Sequence, residues 1–336
     1  MMNYETFKGI VENEFLGSMG PEFEGMKLEV IPVKKVNVTL DGMCVRDPSK
    51  PDQVAPTIYI NDMYEHYKQT GDLMRIISET AETVKNCGER AEELREIVMS
   101  DSMKENVKDK IFFQLINKDQ NKDLLSDCPY RTFEDLAIIY RILISKDKDG
   151  IASSVIHNNL AEKYGMSEAD LFEAAVINTK QLLPTVVRPM EDVMRDIFAS
   201  DGMPEDMIDL MLPDVPSDMQ LYVISNSQGV DGAVNMLYEE ELYKLSQEVH
   251  DNLVILPSSI HEVLALPIGD NNVEELADLV KDVNMSMVPV NERLSNQVYM
   301  YDCQKRTLKQ VTDTPNKNLV NEVAEQNLIY NLKQSR

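Results

Sequence analysis

The chain has 336 residues, of which 43% are hydrophobic and 27% are charged, and its 58 acidic and 33 basic side chains give a formal net charge of −25. This composition is typical of a folded protein, and a prior of roughly 150 residues per domain suggests about two domains. A chain this acidic repels nucleic acid and anionic membranes, so we expect neither as a partner, whereas a basic protein would be attracted.

The four cysteines, Cys44, Cys87, Cys128 and Cys303, lie far apart and form no CxxC pair. Their spacing argues against both a zinc site and a disulfide scaffold. The N-terminal residues lack the basic and apolar regions of a signal peptide, and the apolar run over residues 136–144 is too short to span a bilayer. We therefore expect a cytoplasmic protein with reduced thiols.

The first elements alternate between helical and extended patterns. Apolar residues at helical spacing predict a helix over residues 4–16, and alternating apolar and polar residues predict strand within residues 26–46. Asp41 and Gly42 form a typical hairpin dipeptide and are expected to turn the chain there.

Two helices are expected to complete an N-terminal α+β region over residues 1–105. Asp72 can cap the first helix, whose apolar residues recur at helical spacing. The second helix covers residues 89–99, and Gly88 is expected to separate the two.

Residues 106–189 are predicted to form a middle α+β unit. A run of β-forming residues predicts a strand over residues 111–116, and residues 133–158 have the pattern of a β-hairpin that turns at Asp149-Gly150. Ser167, followed by Asp170, predicts the capping box of a helix that ends before Pro184.

Residues 190–219 have an unusual composition, with nine acidic residues, one arginine, six methionines and three prolines. This pattern favours an acidic linker with short helices, one of them starting at Pro204. Because methionine is flexible and polarizable, the same stretch can also form an adaptable contact surface for another protein.

Residues 220–312 are predicted to form a C-terminal α+β unit, and residues 313–336 a tail that carries a helix near residues 319–332. Similar segments that begin at Gly150 and Gly232 suggest a duplicated α+β unit. The fold class we expect is α+β, with antiparallel sheets, hairpins and packed helices. The predicted strands of the C-terminal unit cover residues 221–225, 232–238, 253–256, 263–266, 298–301 and 307–311, and its helices cover residues 239–250 and 272–283.

The densest group of polar residues lies in the predicted turn over residues 257–262. Ser259 could act as a nucleophile with His261 as its base and Glu262 nearby, which requires a hydrogen bond between the two side chains. No glycine-rich elbow surrounds the serine, so the segment is better explained as a polar turn whose Ser and His side chains bond to exposed backbone groups. His157 is a further candidate, since it could face His261 and bind a metal.

Motifs for cofactors are missing from the sequence. There is no P-loop and no GxGxxG, and two calcium-like fragments near residues 119–123 and 145–150 lack required positions. No His-x-x-x-His or carboxylate spacing accompanies His157. We therefore expect neither a cofactor nor a metal ion.

Three runs carry a resemblance to a known family: Tyr130-Arg-Thr-Phe-Glu-Asp-Leu-Ala-Ile-Ile-Tyr-Arg, Gly150-Ile-Ala-Ser-Ser-Val-Ile-His-Asn and Ile255-Leu-Pro-Ser-Ser-Ile-His-Glu-Val. They resemble a bacterial domain-of-unknown-function family, family 5688, which is common in Firmicutes. The resemblance covers nearly the whole chain and implies a bacterial cytoplasmic setting and an α+β fold. It implies no activity, cofactor or partner.

Three functions remain open from the sequence. The first is a non-enzymatic interaction protein that binds a basic protein through its acidic surface and its methionine-rich segment. The second is a hydrolase or other small-molecule enzyme with a site near the turn over residues 257–262. The third is an acidic mimic of nucleic acid, whose carboxylates would occupy the groove of a basic protein.

Overall fold

The computed structural model describes residues 1–50, 55–99, 107–147, 150–212, 215–216 and 220–314, without the side chains of residues 88–99 and 147. The predicted α+β class is confirmed, since helices accompany antiparallel sheets in the described part of the chain. The chain divides into two units, Met1–Glu105 and Asn106–Arg336. The predicted tail helix and Asp149 of the predicted turn at Asp149-Gly150 lie outside the described residues, whereas Gly150 begins a strand.

In the described residues of the first unit, three antiparallel strands form one sheet in chain order, and helices pack with it. Asn3 caps the first helix, because its side chain accepts the main-chain N–H of Thr6 at 2.9 Å. The elements are α1 (Tyr4–Ser18), β1 (Lys27–Lys35), β2 (Val38–Arg46), β3 (Ile58–Tyr59), α2 (Ile60–Thr70) and α3 (Leu73–Met99).

The core of the first unit lies between α1, α2 and α3. Phe7, Val11 and Phe15 recur every fourth residue along α1 and are fully buried. They belong to one hydrophobic cluster with Met63 of α2 and Ile77 of α3. The helical spacing of apolar residues therefore defines the packed face of α1, as the sequence predicted.

The predicted turn at Asp41-Gly42 is wrong, because both residues lie inside β2. The chain turns instead at Val36 and Asn37, and Asn37 takes a left-handed conformation with φ of 61°. Gly42 serves close packing, since a Cβ there would lie 2.5 Å from Cγ2 of Val33.

The predicted break at Gly88 is also wrong, because α3 runs without interruption from Leu73 to Met99. A glycine inside a helix costs only about 1 kcal/mol. The first half of α3 buries Ile76, Ile77 and Ala81 in the core of the unit. This packing anchors the helix, so a single glycine does not end it.

The second unit contains two antiparallel sheets. In the smaller sheet β6 lies in the centre and pairs with β4, β5 and β7. The larger sheet has the order β13-β12-β10-β11-β9-β8. The strands are β4 (Ile111–Asn117), β5 (Tyr130–Phe133), β6 (Leu136–Asp147), β7 (Gly150–Val155), β8 (Thr185–Pro189), β9 (Tyr222–Asn226), β10 (Leu253–Leu256), β11 (Val263–Pro267), β12 (Tyr299–Asp302) and β13 (Thr307–Gln310).

The helices of the second unit connect and cover these strands. The predicted capping box is confirmed, since the main-chain N–H of Asp170 donates to Oγ of Ser167 at 3.3 Å and that of Ser167 donates to Oδ2 of Asp170 at 2.8 Å. The helices are α4 (Lys122–Leu125), α5 (Asn158–Lys163), α6 (Glu168–Leu182), α7 (Met190–Ser200), α8 (Glu205–Met211), α9 (Glu239–Val249) and α10 (Val273–Ser286).

One predicted strand of the second unit is wrong. Gly232–Leu237 forms a 3-10 helix, whereas Gly150–Val155 is a strand, so the two segments that suggested a duplicated unit differ in structure. The chain enters the 3-10 helix through Asp231 in a left-handed conformation. A Cβ on Gly232 would lie 2.3 Å from Oγ of Ser225, so this tight corner requires glycine.

Candidate functional site

The predicted turn over residues 257–262 connects β10 to β11 and is held by a neighbouring segment. Ile260 donates its main-chain N–H to the carbonyl of Glu292 at 2.8 Å, and Leu294 donates to the carbonyl of Ser258 at 3.0 Å. Ser259 forms an isolated β-bridge with Arg293. These bonds fix the backbone of the turn and therefore the position of each candidate side chain.

The side chains of Ser259 and His261 do not pair as a nucleophile and its base would. Oγ of Ser259 accepts the main-chain N–H of His261 at 3.0 Å. The imidazole Nδ1 of His261 accepts the main-chain N–H of Asp231 at 3.2 Å, and its Nε2 lies 3.8 Å from Oε1 of Glu292. Because Nδ1 provides a lone pair, a neutral ring carries its proton on Nε2.

Asp231 is the centre of a buried polar cluster beside this turn. Its side chain accepts a hydrogen bond from Nε2 of Gln114 at 2.6 Å and lies 3.8 Å from Nε of Arg141. Burial raises the pKa of Asp231, although the charge of Arg141 and the hydrogen bond from Gln114 oppose this effect. Burial also lowers the pKa of Arg141. We call Gln114, Arg141, Asp231 and His261 the Asp231 cluster.

His157 and Glu262 lie outside the Asp231 cluster. Nδ1 of His157 lies 3.0 Å from Oδ2 of Asp127, and the His157 side chain is 39% exposed. Glu262 is half-buried next to His261. In the described part of the chain, no group of three or more His, Cys, Asp or Glu residues could hold a metal ion. The structure thus gives His157 a carboxylate partner of its own.

A second candidate site lies on the two short helices of the methionine-rich segment. Met207, Leu210 and Met211 follow one another at helical spacing and share one face of α8, while Ile208 of the same helix is buried. Leu210 is 85% exposed, and Ile197 of α7 is 52% exposed. We call Ile197, Met207, Leu210 and Met211 the α7–α8 surface.

Acidic side chains surround these apolar residues along the chain. Arg188 pairs with Asp196 at 2.7 Å, and Arg195 of α7 pairs with Asp209 of α8 at 2.6 Å, which joins the two helices. These two ion pairs leave a strong excess of negative charge. The exposed carboxylates of this segment are Asp192, Asp196, Asp201, Glu205, Asp206 and Asp209.

The two sites differ in how well the sequence predicted them. Composition marked residues 190–219 as unusual, since methionine and acidic residues are concentrated there, but it did not predict which apolar side chains are exposed. The Asp231 cluster was missed, because Gln114 and Arg141 meet through the pairing of β4 with β6, and Asp231 reaches them from a loop that is distant in sequence. A usable signal was Arg141, which interrupts an otherwise apolar strand and therefore needs a buried partner.

One family of known proteins matches the chain. A family model described as "Family of unknown function (DUF5688)" matches residues 4–303 of the chain. The chain belongs to this family. No curated protein and no solved structure matches it significantly. Within the described residues of this DUF5688 member, no helix is long and apolar enough to cross a membrane.

Proposed function

We propose that this DUF5688 member is an interaction protein that binds a basic, amphipathic segment of another protein at the α7–α8 surface. The observation that carries the proposal is the exposure of Leu210 at 85%, with Met207 and Met211 above 50% on the same face. Burying one such side chain in a complex is worth about 1.5–3 kcal/mol. Methionine can adapt to partners of different shape.

The charge around the surface supports a basic partner. Residues 190–219 contain nine acidic residues and one arginine, within a chain whose net charge is −25. Such a field attracts a cationic segment and speeds its association, and added salt weakens both effects. A partner helix with lysines beside its apolar face would match both features of the surface.

The other two functions have less support in the geometry. A serine hydrolase at the turn over residues 257–262 would need the hydroxyl of Ser259 to bond to an imidazole nitrogen, and that hydroxyl instead accepts a main-chain N–H. A nucleic-acid mimic would need rows of carboxylates. On α8 the exposed carboxylates of Glu205, Asp206 and Asp209 alternate with apolar side chains, which favours a protein partner.

The test measures binding of a fluorescent 18-residue Leu/Lys amphipathic helix by anisotropy, with a scrambled peptide of identical composition as the first control. We expect Leu210→Ser to weaken binding of the helix about tenfold, which corresponds to about 1.4 kcal/mol. Met287→Ser is the matched protein control, because Met287 is 78% exposed and lies outside the surface. It should leave the affinity unchanged.

Two results would contradict the proposal. One is equal binding of the scrambled peptide, which would show that charge alone is recognised. The other is an equal loss of affinity in the Leu210→Ser and Met287→Ser variants. Both substitutions are at exposed positions, where stability usually changes by less than about 0.5 kcal/mol, so folding does not confound the comparison.

A further inference from the structure

The first unit contains a pocket that the proposed function does not use. It lies between β3, α2 and α3 and has a volume of about 320 Å³. This is at the lower end of the range for small-molecule sites, roughly 300–1,000 Å³. Its apolar walls include Ile58, Met63 and Ile76, and its polar side chains include Asp62, His66 and Glu79.

The pocket has an apolar floor and an acidic rim. Met63 and Ile76 belong to the buried core of the unit, with exposures of 4% and 2%, so the floor is rigidly packed. Asp62 and Glu79 are exposed and lie on α2 and α3 respectively, on opposite walls. The arrangement offers an apolar surface to the body of a ligand and negative charge to its polar end.

The available charges favour a cation. Glu79 accepts a hydrogen bond from Nε of Arg75 at 2.7 Å, so part of its charge is neutralised. Asp62 has no ion pair or side-chain hydrogen bond with any described residue. The ring of Tyr59, another lining residue, is engaged by the ammonium group of Lys35, 5.2 Å from its centroid. Asp62 is therefore the group of the rim best placed to meet the ammonium group of a ligand whose apolar body lies on the floor.

We propose that this pocket binds a small organic cation that joins an ammonium group to an apolar body. The ammonium group is placed at Asp62, and the apolar body lies against Met63 and Ile76. The strong negative charge of the whole chain raises the local concentration of such cations. This site is independent of the α7–α8 surface, so either proposal can fail without the other.

The test uses the full chain with ¹³C-labelled methionine methyl groups and three probes of similar shape. These are 2-phenylethylammonium, 2-phenylethanol and 3-phenylpropanoate. We expect the ammonium probe to shift the Met63 methyl resonance and to bind several-fold more tightly than the alcohol. The carboxylate probe should bind most weakly.

Two variants locate the charge that matters. Asp62→Asn should weaken binding of the ammonium probe about threefold, because one exposed charge pair is lost. The affinity for 2-phenylethanol should stay unchanged. Glu65→Gln on the same helix is the control, because Glu65 pairs with Lys68 and does not line the pocket. Equal binding of all three probes, an unshifted Met63 methyl group, or equal effects of the two variants would overturn the proposal.

Discussion

At the scale of single residues, Asp231 combines three unusual features. It is buried, its backbone is left-handed with φ of 55°, and its carboxylate lies between Gln114 and Arg141. Left-handed backbone costs most residues about 1–2 kcal/mol, but Asn and Asp tolerate it. The residue therefore couples a strand of the smaller sheet to the turn that carries His261.

We predict a graded loss of stability at this position. Asp231→Asn keeps the left-handed conformation and an acceptor for Gln114, so it should cost about 1–2 kcal/mol. Asp231→Ala also strains the backbone and removes, with the carboxylate that balances the charge of Arg141, every polar atom of the side chain. The guanidinium then keeps only its neutral acceptors on Gln114 and Ser153, so the substitution should cost about 3–5 kcal/mol. Urea unfolding of both variants measures the difference. Equal losses of stability in the two variants would show that neither the left-handed backbone nor a polar side chain beside Arg141 matters at this position.

The pH dependence at Asp231 has a definite sign. Burial raises the pKa of Asp231 in the folded state above its unfolded value, which is about 3.9. The wild-type protein therefore loses stability as the pH rises from that value through the folded pKa, while an Asn at this position does not titrate. The stability gap between wild type and Asp231→Asn should be larger near pH 4 than at pH 7. Urea unfolding at both pH values checks this, and a gap that widens towards pH 7 would contradict it.

At the scale of elements, the periodicity of apolar residues predicted most strands and helices. It did not predict the positions where two segments approach each other closely at a glycine. The strands β4, β10 and β11 were predicted because they are short apolar runs rich in β-forming residues, and the helix α6 because a capping box and Pro184 mark its two ends. The turn predicted at Gly42 and the strand predicted from Gly232 are both wrong, since each glycine is required by a close approach of another segment. Such an approach depends on tertiary packing, which no local pattern contains.

Gly42 provides a test of this explanation. Gly42→Ala places a Cβ 2.5 Å from Cγ2 of Val33 and 2.8 Å from Cγ2 of Thr57, so we expect a loss of about 1–3 kcal/mol. Gly17→Ala in α1 is the matched control, because a Cβ there would meet no atom within 4 Å and alanine favours a helix more than glycine does, so it should cause no loss. Thermal unfolding compares the two variants. A loss at Gly42 no larger than that at Gly17 would contradict the close approach described for Gly42.

At the scale of the whole molecule, the net charge of −25 determines which molecules the protein attracts and which it repels. Like charges repel one another within the folded chain and repel anionic partners outside it. Part of this repulsion is relieved by ion pairs, such as the one that Arg131 forms with Glu168. The acidic surface was predictable from composition alone. The placement of exposed apolar residues on α8 required the structure, because Ile208 of the same helix is buried.

Salt should therefore stabilise the protein. Raising NaCl from about 0.02 to about 0.5 M shortens the screening length several-fold, and we expect the melting temperature to rise by about 2–4 °C, equivalent to about 1 kcal/mol for a unit of this size. Differential scanning calorimetry measures the change, with an uncharged osmolyte as the control for general solvent effects. A melting temperature that falls with NaCl would show that ion pairs outweigh the repulsion.

The proposed binding of a basic amphipathic helix at the α7–α8 surface can be observed directly by methionine-methyl NMR of the full chain during titration with the Leu/Lys helix. We expect the resonances of Met207 and Met211 to shift together, while that of Met287, which is more exposed but lies elsewhere, stays in place. A shift of Met287 equal to theirs, or no shift at Met207 and Met211 while the peptide binds, would contradict it.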